Sequence, residues 1–323
     1  MRILVPGGAG YIGSMVVPAL LAAGHKVQVL DNLVQGGRGL FNPWSHPDFR
    51  FIYGDLRDDV AIRRAVKDAE AVIHLAAVVG DPACARQPEL AERVNVNGSL
   101  ALFRESHRAG VSRFVFASTC SNYGKMKDPG RYVDETSELR PLSLYARTKV
   151  DVEEAILSSD AARDLCVTSL RFATVFGVSP RMRFDLTVNE FTREMLTKKH
   201  LVVFGKQFWR PYVHVRDLAR AIVMVLAAPA DVIRNRVFNV GATEQNFQKE
   251  QLVNLIREHV PDAVVEYVHK DEDPRDYRVA FARIKSELGF EITRTVEDGI
   301  REVAQLIRDR VLADVPESMY AGI

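Results

Sequence analysis

The chain has 323 residues, of which 47 % are hydrophobic, and its 43 lysines and arginines almost balance 42 aspartates and glutamates. This composition excludes disordered, collagenous and coiled-coil proteins, and the near-zero net charge argues against a nucleic-acid partner. No apolar run reaches the ~18 residues that a membrane span needs, and no signal-peptide pattern precedes the first glycine-rich turn, so neither a membrane partner nor secretion is predicted.

The first half of the chain, residues 1 to about 175, alternates short β-rich runs with helical stretches. Strands are predicted at 3–5, 27–30, 49–53, 71–75, 113–117 and 167–171, and helices near 12–24, 58–68, 90–109 and 144–158. This alternation predicts an α/β fold of the Rossmann type, a doubly wound parallel sheet covered on both faces. Ligands of such sheets bind beyond the carboxyl ends of the strands.

After about residue 175 the elements become shorter and less regular, with helices predicted near 185–198, 215–228, 248–259 and 295–312. We therefore predict two domains. Residues 1–175 would form the cofactor-binding domain with the catalytic residues, and residues 176–323 would form mainly a smaller, mixed substrate lobe. Because no clean linker marks the boundary, segments are expected to interchange. A substrate would bind in the cleft between the two parts.

The three cysteines, Cys84, Cys120 and Cys166, are odd in number and widely spaced. That pattern is typical of a reducing cytoplasm and argues against a disulfide framework or a CxxC metal site. We predict a cytoplasmic protein with no metal site.

The glycine-rich run at residues 7–13, GGAGYIG, follows the first predicted strand and opens a helix. Its G-x-G-x-x-G spacing permits a tight turn and a close approach of the backbone to a dinucleotide pyrophosphate, which the helix N-terminus attracts. Asp31 ends the second strand about 20 residues on, where an acidic side chain receives the ribose hydroxyls. Since a carboxylate repels a 2′-phosphate, the pattern favours NAD over NADP.

Tyr145 and Lys149 stand at positions i and i+4 of a predicted helix, so both point to one face. A nearby ammonium stabilises tyrosinate and would lower the phenol pKa towards neutrality. Such a phenol can exchange a proton with an alcohol during hydride transfer. The strand before this helix ends in Ser118 and Thr119, and a hydroxyl there can bind the same substrate oxygen.

Together these motifs resemble the extended short-chain dehydrogenases/reductases, in the NAD-dependent nucleotide-sugar epimerase/dehydratase family. The resemblance runs from residue 1 to about residue 300. The runs that carry it are GGAGYIG at 7–13, DN at 31–32, GDL at 54–56, HLAA at 74–77, NVNG at 95–98, ST at 118–119, YG at 123–124, Tyr145 with Lys149, LRF at 170–172 and RPYVHVRD at 210–217.

The resemblance implies a catalytic set of Thr119, Tyr145 and Lys149. With the glycine run and Asp31, it implies an NAD site that also includes Tyr145 and Lys149. The other cofactor residues are Gly7, Gly10, Tyr11, Ile12, Gly13, Asp31, Asn32, Asp55, Leu56, Leu75, Ala76, Ala77 and Phe172.

The resemblance further implies that the substrate is a nucleotide-diphosphate sugar. Arg210 matches the family arginine that contacts the diphosphate. A planar guanidinium suits this role because it binds phosphate oxygens in pairs. Arg210 and Arg275 could instead form surface ion pairs. The substrate residues are predicted to be Gly80, Cys120, Ser121, Asn122, Thr174, Arg181, Asn189, Arg210 and Arg275.

Residues 79–84, 176–186 and 273–277 resemble a branch of the family that includes nucleotide-activated heptose C4 oxidoreductases, although membership of that branch does not fix the sugar. The family likeness also implies a homodimer built on the helices at 90–109 and 144–158. Leu100, Leu102 and Phe103, with Val150, Val152 and Ile156, are compatible with such an interface or with the protomer core. His214 is interpreted as a structural histidine.

The run after Thr119 bears on the reaction. Dehydratases of the family carry an Asp-Glu pair there, and this chain has Cys120 and Ser121, so 4,6-dehydration is disfavoured. We predict an NAD-dependent oxidoreductase or epimerase that transfers hydride at C4 of a nucleotide-activated sugar. The alternatives are a C4 dehydrogenase without epimerisation and a 4,6-dehydratase. A role for Cys120 as proton donor at C3 or C5 also stays open. A silent NAD-sensing regulator is disfavoured because the Tyr/Lys pair is kept.

Overall fold

The structure is a computed structural model that describes residues 1–126, 128, 130–270 and 276–312. Its strands are β1 Arg2–Pro6, β2 Lys26–Asp31, β3 Phe49–Tyr53, β4 Ala71–His74, β5 Arg113–Thr119, β6 Cys166–Phe172, β7 Thr174–Phe176, β8 His200–Phe204, β9 Trp209–His214, β10 Arg236–Val240, β11 Asn246–Gln248 and β12 Val264–Val268. Its helices are α1 Gly13–Ala22, α2 Asp59–Val66, α3 Asp81–Arg86, α4 Pro88–Ala91, α5 Ser99–Arg108, α6 Leu144–Leu157, α7 Thr187–Thr197, α8 Val215–Ala227, α9 Ala230–Ile233, α10 Lys249–Arg257, α11 Ala282–Leu288 and α12 Val296–Arg308.

Seven parallel strands form the main sheet, in the order β10-β6-β5-β4-β1-β2-β3. Strands β4 and β6 are buried at every residue, as expected for a parallel sheet covered on both faces. Helices α1 and α8 cover one face through Val16, Leu20 and Ile222, and α2, α5 and α6 cover the other through their own apolar stripes. The predicted doubly wound Rossmann fold is confirmed.

The smaller unit contains the three-stranded sheet β11-β9-β7 and the parallel pair β12-β8. Helices α7, α10 and α12 pack around its core, which includes Phe176, Tyr212, Leu252 and Ile300. Buried His214 joins this core to α8. Its Nδ1 accepts a hydrogen bond from the backbone N–H of Arg216 at 3.2 Å, and its Nε2 lies 3.0 Å from Glu302, in keeping with a structural role.

Residues 215–240 return to the large unit, because α8 packs on α1 and β10 pairs with β6. Residues 215–240 thus lie with the large unit although they follow the predicted division at residue 175, an interchange of the kind that the sequence led us to expect. The physical reason is that strand β6 needs a partner on its outer edge, and the apolar face of α8 needs the sheet.

The predicted helix at 90–109 is interrupted. Between α4 and α5 the segment Glu92–Gly98 is a π-helix, where Asn95 turns its side chain onto the backbone of Val78. Asn95 Oδ1 accepts from the Val78 N–H at 2.7 Å, and its Nδ2 donates to the Val78 carbonyl at 3.0 Å. This contact holds the chain that follows β4, a position where π-bulges often accompany functional sites.

In the part of the chain that the structure describes, no helix is long and apolar enough to cross a membrane. The same residues contain no cluster of three or more His, Cys, Asp or Glu side chains arranged to hold a metal ion.

Candidate active site

A cavity of about 580 Å³ lies at the carboxyl ends of β1, β2, β4, β5 and β6, between the main sheet and the smaller unit. Its walls come from the turn after β1, the loops after β2, β3 and β4, the ends of β5 and β6, and helix α6. The segment after β7 and Tyr277 close it from the other side. The cavity is thus placed where an open α/β sheet binds its ligand.

The glycine-rich turn forms the floor of this cavity and is held against the end of β4. Gly7 has a φ of +82°, and a Cβ atom there would lie 2.5 Å from the backbone nitrogen of Ala76. At Gly13 a Cβ would lie 2.6 Å from the carbonyl oxygen of Gly7. Only glycine fits at these two places, and the result is an open backbone cradle at the N-terminus of α1. The cradle suits a dinucleotide pyrophosphate.

Asp31 joins the end of β2 to the same turn. Its carboxylate accepts the backbone N–H of Ala9 at 3.0 Å and that of Leu33 at 2.9 Å. Burial raises the pKa of Asp31, and these backbone donors work against that rise. Asp31 lines the cavity, so its carboxylate is available to the ribose hydroxyls of a bound cofactor.

Asp55 is fixed by two neighbours at the end of the cavity formed by the loops after β2 and β3. Arg57 donates two hydrogen bonds to its carboxylate, at 2.9 and 2.8 Å, and Asn32 Nδ2 donates a third at 2.8 Å. The Arg57 guanidinium holds the pKa of Asp55 well below its usual range. The carboxylate therefore stays charged and oriented.

Every predicted cofactor residue lines the cavity. The two that follow β4, Ala76 and Ala77, stand opposite the glycine turn. The remaining members of the set, Gly10, Tyr11, Ile12, Leu56, Leu75 and Phe172, contribute to the same walls. The cradle and the acidic side chain at the end of β2 are the features that NAD requires.

The three predicted catalytic residues come from two elements that the fold brings together. Thr119 ends β5, where the strand register pairs it with Phe172 of β6, and its Oγ1 accepts the backbone N–H of Ser121 at 3.1 Å. Tyr145 and Lys149 lie in the first turns of α6, which Ser143 caps through the Ala146 N–H at 3.2 Å. Thr119, Tyr145 and Lys149 all line the cavity.

Lys149 is buried, and its environment is mostly apolar. Its Nζ donates to the carbonyl oxygen of Ala117 at 2.7 Å and lies 4.8 Å from the ring centre of Phe116. The ring centre of Tyr145 is 6.0 Å from the same Nζ. Burial lowers the pKa of Lys149 to about 8.

The predicted effect of Lys149 on Tyr145 is wrong for the chain alone. Burial raises the pKa of the Tyr145 phenol, and the neighbouring Cys84 and Asp81 raise it further. Burial disfavours both charged forms, the tyrosinate and the lysine cation. In the free chain Tyr145 is therefore a neutral phenol at pH 7.

Of the predicted substrate residues, Gly80, Ser121, Thr174 and Arg181 line the cavity. Ser121 Oγ lies 3.3 Å from the hydroxyl of Tyr277, so the turn after β5 contacts the opposite side of the cavity at this point. Arg275 lies outside the described residues. The other four, Cys120, Asn122, Asn189 and Arg210, are placed behind the walls of the described cavity.

Cys120 points into the core beneath the cavity. Its side chain is 1 % exposed, and its Sγ donates to the carbonyl oxygen of Arg171 at 3.3 Å. Burial raises the pKa of the thiol well above its ordinary value. The turn at Cys120–Tyr123 therefore places this side chain beneath the cavity wall, which does not support the predicted substrate contact or the alternative of a proton donor.

Asn122, Asn189 and Arg210 are not among the residues that line this cavity, and each contacts other parts of the protein. Asn122 Nδ2 donates to Ser118 Oγ at 3.1 Å. Asn189 accepts the Gly177 N–H at 3.0 Å and donates to the Arg183 carbonyl at 2.9 Å, which shapes the segment after β7. The Arg210 guanidinium lies 5.7 Å from the ring centre of Tyr277, behind that residue, and donates to the Trp209 carbonyl at 2.7 Å.

Among the lining residues that the sequence did not predict, Gln35, Asp81, Arg183 and Tyr277 have side chains suited to ligand contact. The last three lie in the segments at 79–84, 176–186 and 273–277, which the sequence analysis singled out only for their likeness to one branch. A polar side chain within such a segment was the available signal. For Gln35 the sequence offers no such signal, because this residue lies in an irregular loop.

Known proteins share the fold and part of the sequence of this chain. The NAD dependent epimerase/dehydratase family matches residues 3–241. The chain is 29 % identical over 307 residues to UDP-glucose 4-epimerase of Corynebacterium glutamicum, and the match covers 90 % of each chain.

Two solved structures show the same architecture. UDP-glucose 4-epimerase of Thermotoga maritima, with UDP-glucose, is 30 % identical with a TM-score of 0.84, and the match covers 96 % of this chain and all of that one. The dTDP-glucose 4,6-dehydratase of Streptomyces venezuelae, with NAD bound, is 27 % identical with a TM-score of 0.85, covering 96 % and 98 %. With the glycine cradle, Asp31 and the Thr/Tyr/Lys set in one cavity, these matches show that the chain belongs to the NAD-dependent epimerase/dehydratase family of extended short-chain dehydrogenases/reductases.

Proposed function

We propose that the protein is an NAD-dependent epimerase that acts at C4 of a nucleotide-activated sugar. The observation that carries the proposal is the convergence of Asp31, Thr119, Tyr145 and Lys149 on one cavity at the carboxyl edge of the sheet. This set can bind a dinucleotide at one end and exchange a proton with a sugar hydroxyl at the other.

In the proposed mechanism, Tyr145 first releases its phenol proton to solvent in the loaded site, and as the tyrosinate it accepts the proton of the C4 hydroxyl and later returns it. Thr119 binds the same oxygen and fixes its position. Lys149, tied to the Ala117 carbonyl, holds a positive charge near the phenol and favours the tyrosinate during the transfer. When bound, NAD would supply the hydride acceptor and donor at C4. Return to the opposite face of the 4-keto sugar inverts the carbon, and the two steps leave no net oxidation.

The positions after Thr119 support epimerisation over dehydration. Elimination of water needs a base for the C5 proton and an acid for the departing hydroxyl. Cys120 is buried away from the cavity, and Ser121 is a neutral hydroxyl. Asp81 lines the cavity and acts electrostatically on Tyr145, so it is the first group to test if elimination is observed.

The substrates of related proteins support the proposed substrate class. The Thermotoga relative was solved with UDP-glucose, and the Corynebacterium relative is a UDP-glucose 4-epimerase. We propose a nucleotide-diphosphate hexose or heptose, with UDP and dTDP sugars as the first candidates. A thermal-shift panel of UDP-, dTDP-, GDP- and ADP-sugars identifies the base by the largest rise in melting temperature.

The reaction is then decided in D₂O with the sugar that the panel selects. An epimerase gives a C4 epimer of unchanged mass, because hydride leaves C4 and returns to C4. Accumulating NADH with a 4-keto sugar would instead show a C4 dehydrogenase. A product lighter by one water and carrying solvent deuterium would contradict the proposal and establish a 4,6-dehydratase.

We also propose a homodimer through α5 and α6, which lie side by side. A shallow cavity of about 250 Å³ between them is lined by Leu100, Phe103, His107 and Ala155, among others. Of the positions considered for this interface, Leu102, Val152 and Ile156 are fully buried in the protomer core, so they do not support the proposed dimer. Light scattering at micromolar concentration tests the proposal, and a monomer mass would contradict it.

A further inference from the structure

The segment after β7, residues 177–183, is fastened to the glycine-rich turn although the two are far apart in the chain. The Tyr11 hydroxyl donates to the Gly177 carbonyl at 2.6 Å. Ser179 Oγ donates to the Tyr11 carbonyl at 2.8 Å and lies 2.7 Å from Ser14 Oγ in the first turn of α1. All these side chains are buried, so the smaller unit is held directly over the N-terminus of α1.

These contacts place Arg181 on the cofactor side of the cavity. The Arg181 side chain is buried, at 5 % exposure, and it lines the cavity. Its NH2 group donates to Oε1 of Gln35, which stands four residues after Asp31 in the loop that follows β2. Because Asp31 is itself bonded to Ala9 of the glycine turn, Arg181 spans from the smaller unit to the wall that holds the cofactor.

The charges around Arg181 favour an anion. Arg183 also lines the cavity and binds both oxygens of Asp185, through Nε at 3.0 Å and NH2 at 2.5 Å. Burial and the neighbouring Arg183 lower the pKa of Arg181 to about 10, so the guanidinium stays charged at pH 7. Two arginines and one aspartate leave this group with a net positive charge at the edge of the cradle.

The position of Arg181 indicates which of two diphosphates it would bind, that of the cofactor or that of the sugar nucleotide. A dinucleotide places its pyrophosphate at the N-terminus of the first helix, against the glycine turn. The contacts of Tyr11, Ser14 and Ser179 fix the Arg181 segment at that same turn. We infer that Arg181 binds the pyrophosphate of NAD, and not the diphosphate of the sugar nucleotide, and so closes the smaller unit over the cofactor.

This role for Arg181 differs from the substrate contact predicted from the sequence, and it does not depend on the C4 reaction. It implies that part of the cofactor site is built by the smaller unit, so NAD leaves slowly unless that segment moves. An epimerase benefits from such retention, because the same cofactor molecule must serve both hydride transfers.

Binding measurements on Arg181→Gln test the inference. Calorimetry would compare ADP-ribose, which has the pyrophosphate but lacks nicotinamide, with UDP and dTDP. We expect Arg181→Gln to weaken ADP-ribose binding about ten- to hundred-fold, as for a lost charged hydrogen bond, with UDP and dTDP within about twofold. The fraction of NAD retained through gel filtration should fall in parallel.

Arg193→Gln is the matched control, since Arg193 lies in the same unit against the ring of Phe184 and does not line the cavity. It should leave ADP-ribose affinity unchanged. If Arg181→Gln does not fold, Arg181→Lys keeps the charge but loses the planar fork, and we expect about three- to tenfold weaker ADP-ribose binding. Unchanged ADP-ribose affinity, or a loss confined to UDP and dTDP, would overturn the inference.

Discussion

The two sides of the cavity differ in how their residues are fixed. The cofactor side is built largely from backbone: a glycine turn, strand ends and short loops, with Asp31 bonded to main-chain N–H groups. The side proposed to bind the substrate is built from side chains on irregular segments, where Asn189 and Arg210 contact other residues and Tyr277 lines the cavity. A strand end determines where a side chain goes, whereas a loop leaves the direction to tertiary contacts.

The largest expected effect lies where the two sides meet, at the proton-transfer residue. Tyr145→Phe should reduce kcat by about 10²–10⁴-fold, because general acid–base catalysis commonly contributes that much. NAD binding should persist, since the cofactor side is unchanged. Turnover assays and NAD titration measure both effects, with Tyr132→Phe, an exposed tyrosine, as the control. Turnover close to wild type would remove Tyr145 from the mechanism.

A change on the cofactor side should affect cofactor choice alone. Asp31→Ala removes the carboxylate that faces the ribose, so the preference for NAD over NADP should shrink by roughly ten- to hundred-fold, as expected when one like-charge repulsion is lost. Fluorescence titration with both dinucleotides gives the ratio. Equal affinity of the wild-type protein for NAD and NADP would contradict the role given to Asp31.

The pH dependence of kcat/KM tests whether the buried ammonium of Lys149 supports catalysis. Folding lowers the pKa of Lys149 from 10.5 to about 8. Above pH 8 the folded chain loses this proton, so kcat/KM should fall about tenfold per pH unit if the ammonium supports Tyr145. Between about pH 8 and 10.5 the unfolded chain binds the extra proton, so this group's contribution to the free energy of unfolding rises with pH.

Lys149→Met is the comparison for that profile. Its kcat/KM should be low at every pH and should lack the fall above pH 8, and its free energy of unfolding should lack the matching rise. Rates in overlapping buffers and urea unfolding at pH 7, 8 and 9 give both quantities. A fall above pH 8 that persists in the variant would assign the titration to another group.

The smallest effect is expected on the substrate side, at Cys120. Because its thiol is buried behind the wall, Cys120→Ala should leave kcat within about twofold and lower the free energy of unfolding by about 1 kcal/mol through lost packing and one hydrogen bond. Ser121→Ala, on the neighbouring residue that does line the cavity, should raise KM. A large loss of kcat in Cys120→Ala would restore the chemical role that the geometry excludes.

The fold, and the grouping of the predicted cofactor residues around one cavity, could be predicted from the sequence because both depend on local patterns. Alternating runs specify parallel strands, and the spacing of Gly8, Gly10 and Gly13 specifies the turn. The sequence did not predict the π-helical break at Asn95, which depends on a contact with Val78 from another element. Nor could it predict the direction of Cys120 or the raised pKa of Tyr145, since burial is set by the tertiary structure.

The return of β10 to the outer edge of β6 has a consequence for how the chain is made and re-engineered. A ribosome must synthesise residue 240 before the sheet has its last strand, so the large unit completes its folding only after much of the smaller unit has emerged. A fragment ending near residue 175 would expose the apolar edge of β6, a template for aggregation. Chimaeras that exchange the sugar-binding part should therefore retain residues 215–240 with the parent sheet, and those joined at residue 175 are expected to be insoluble.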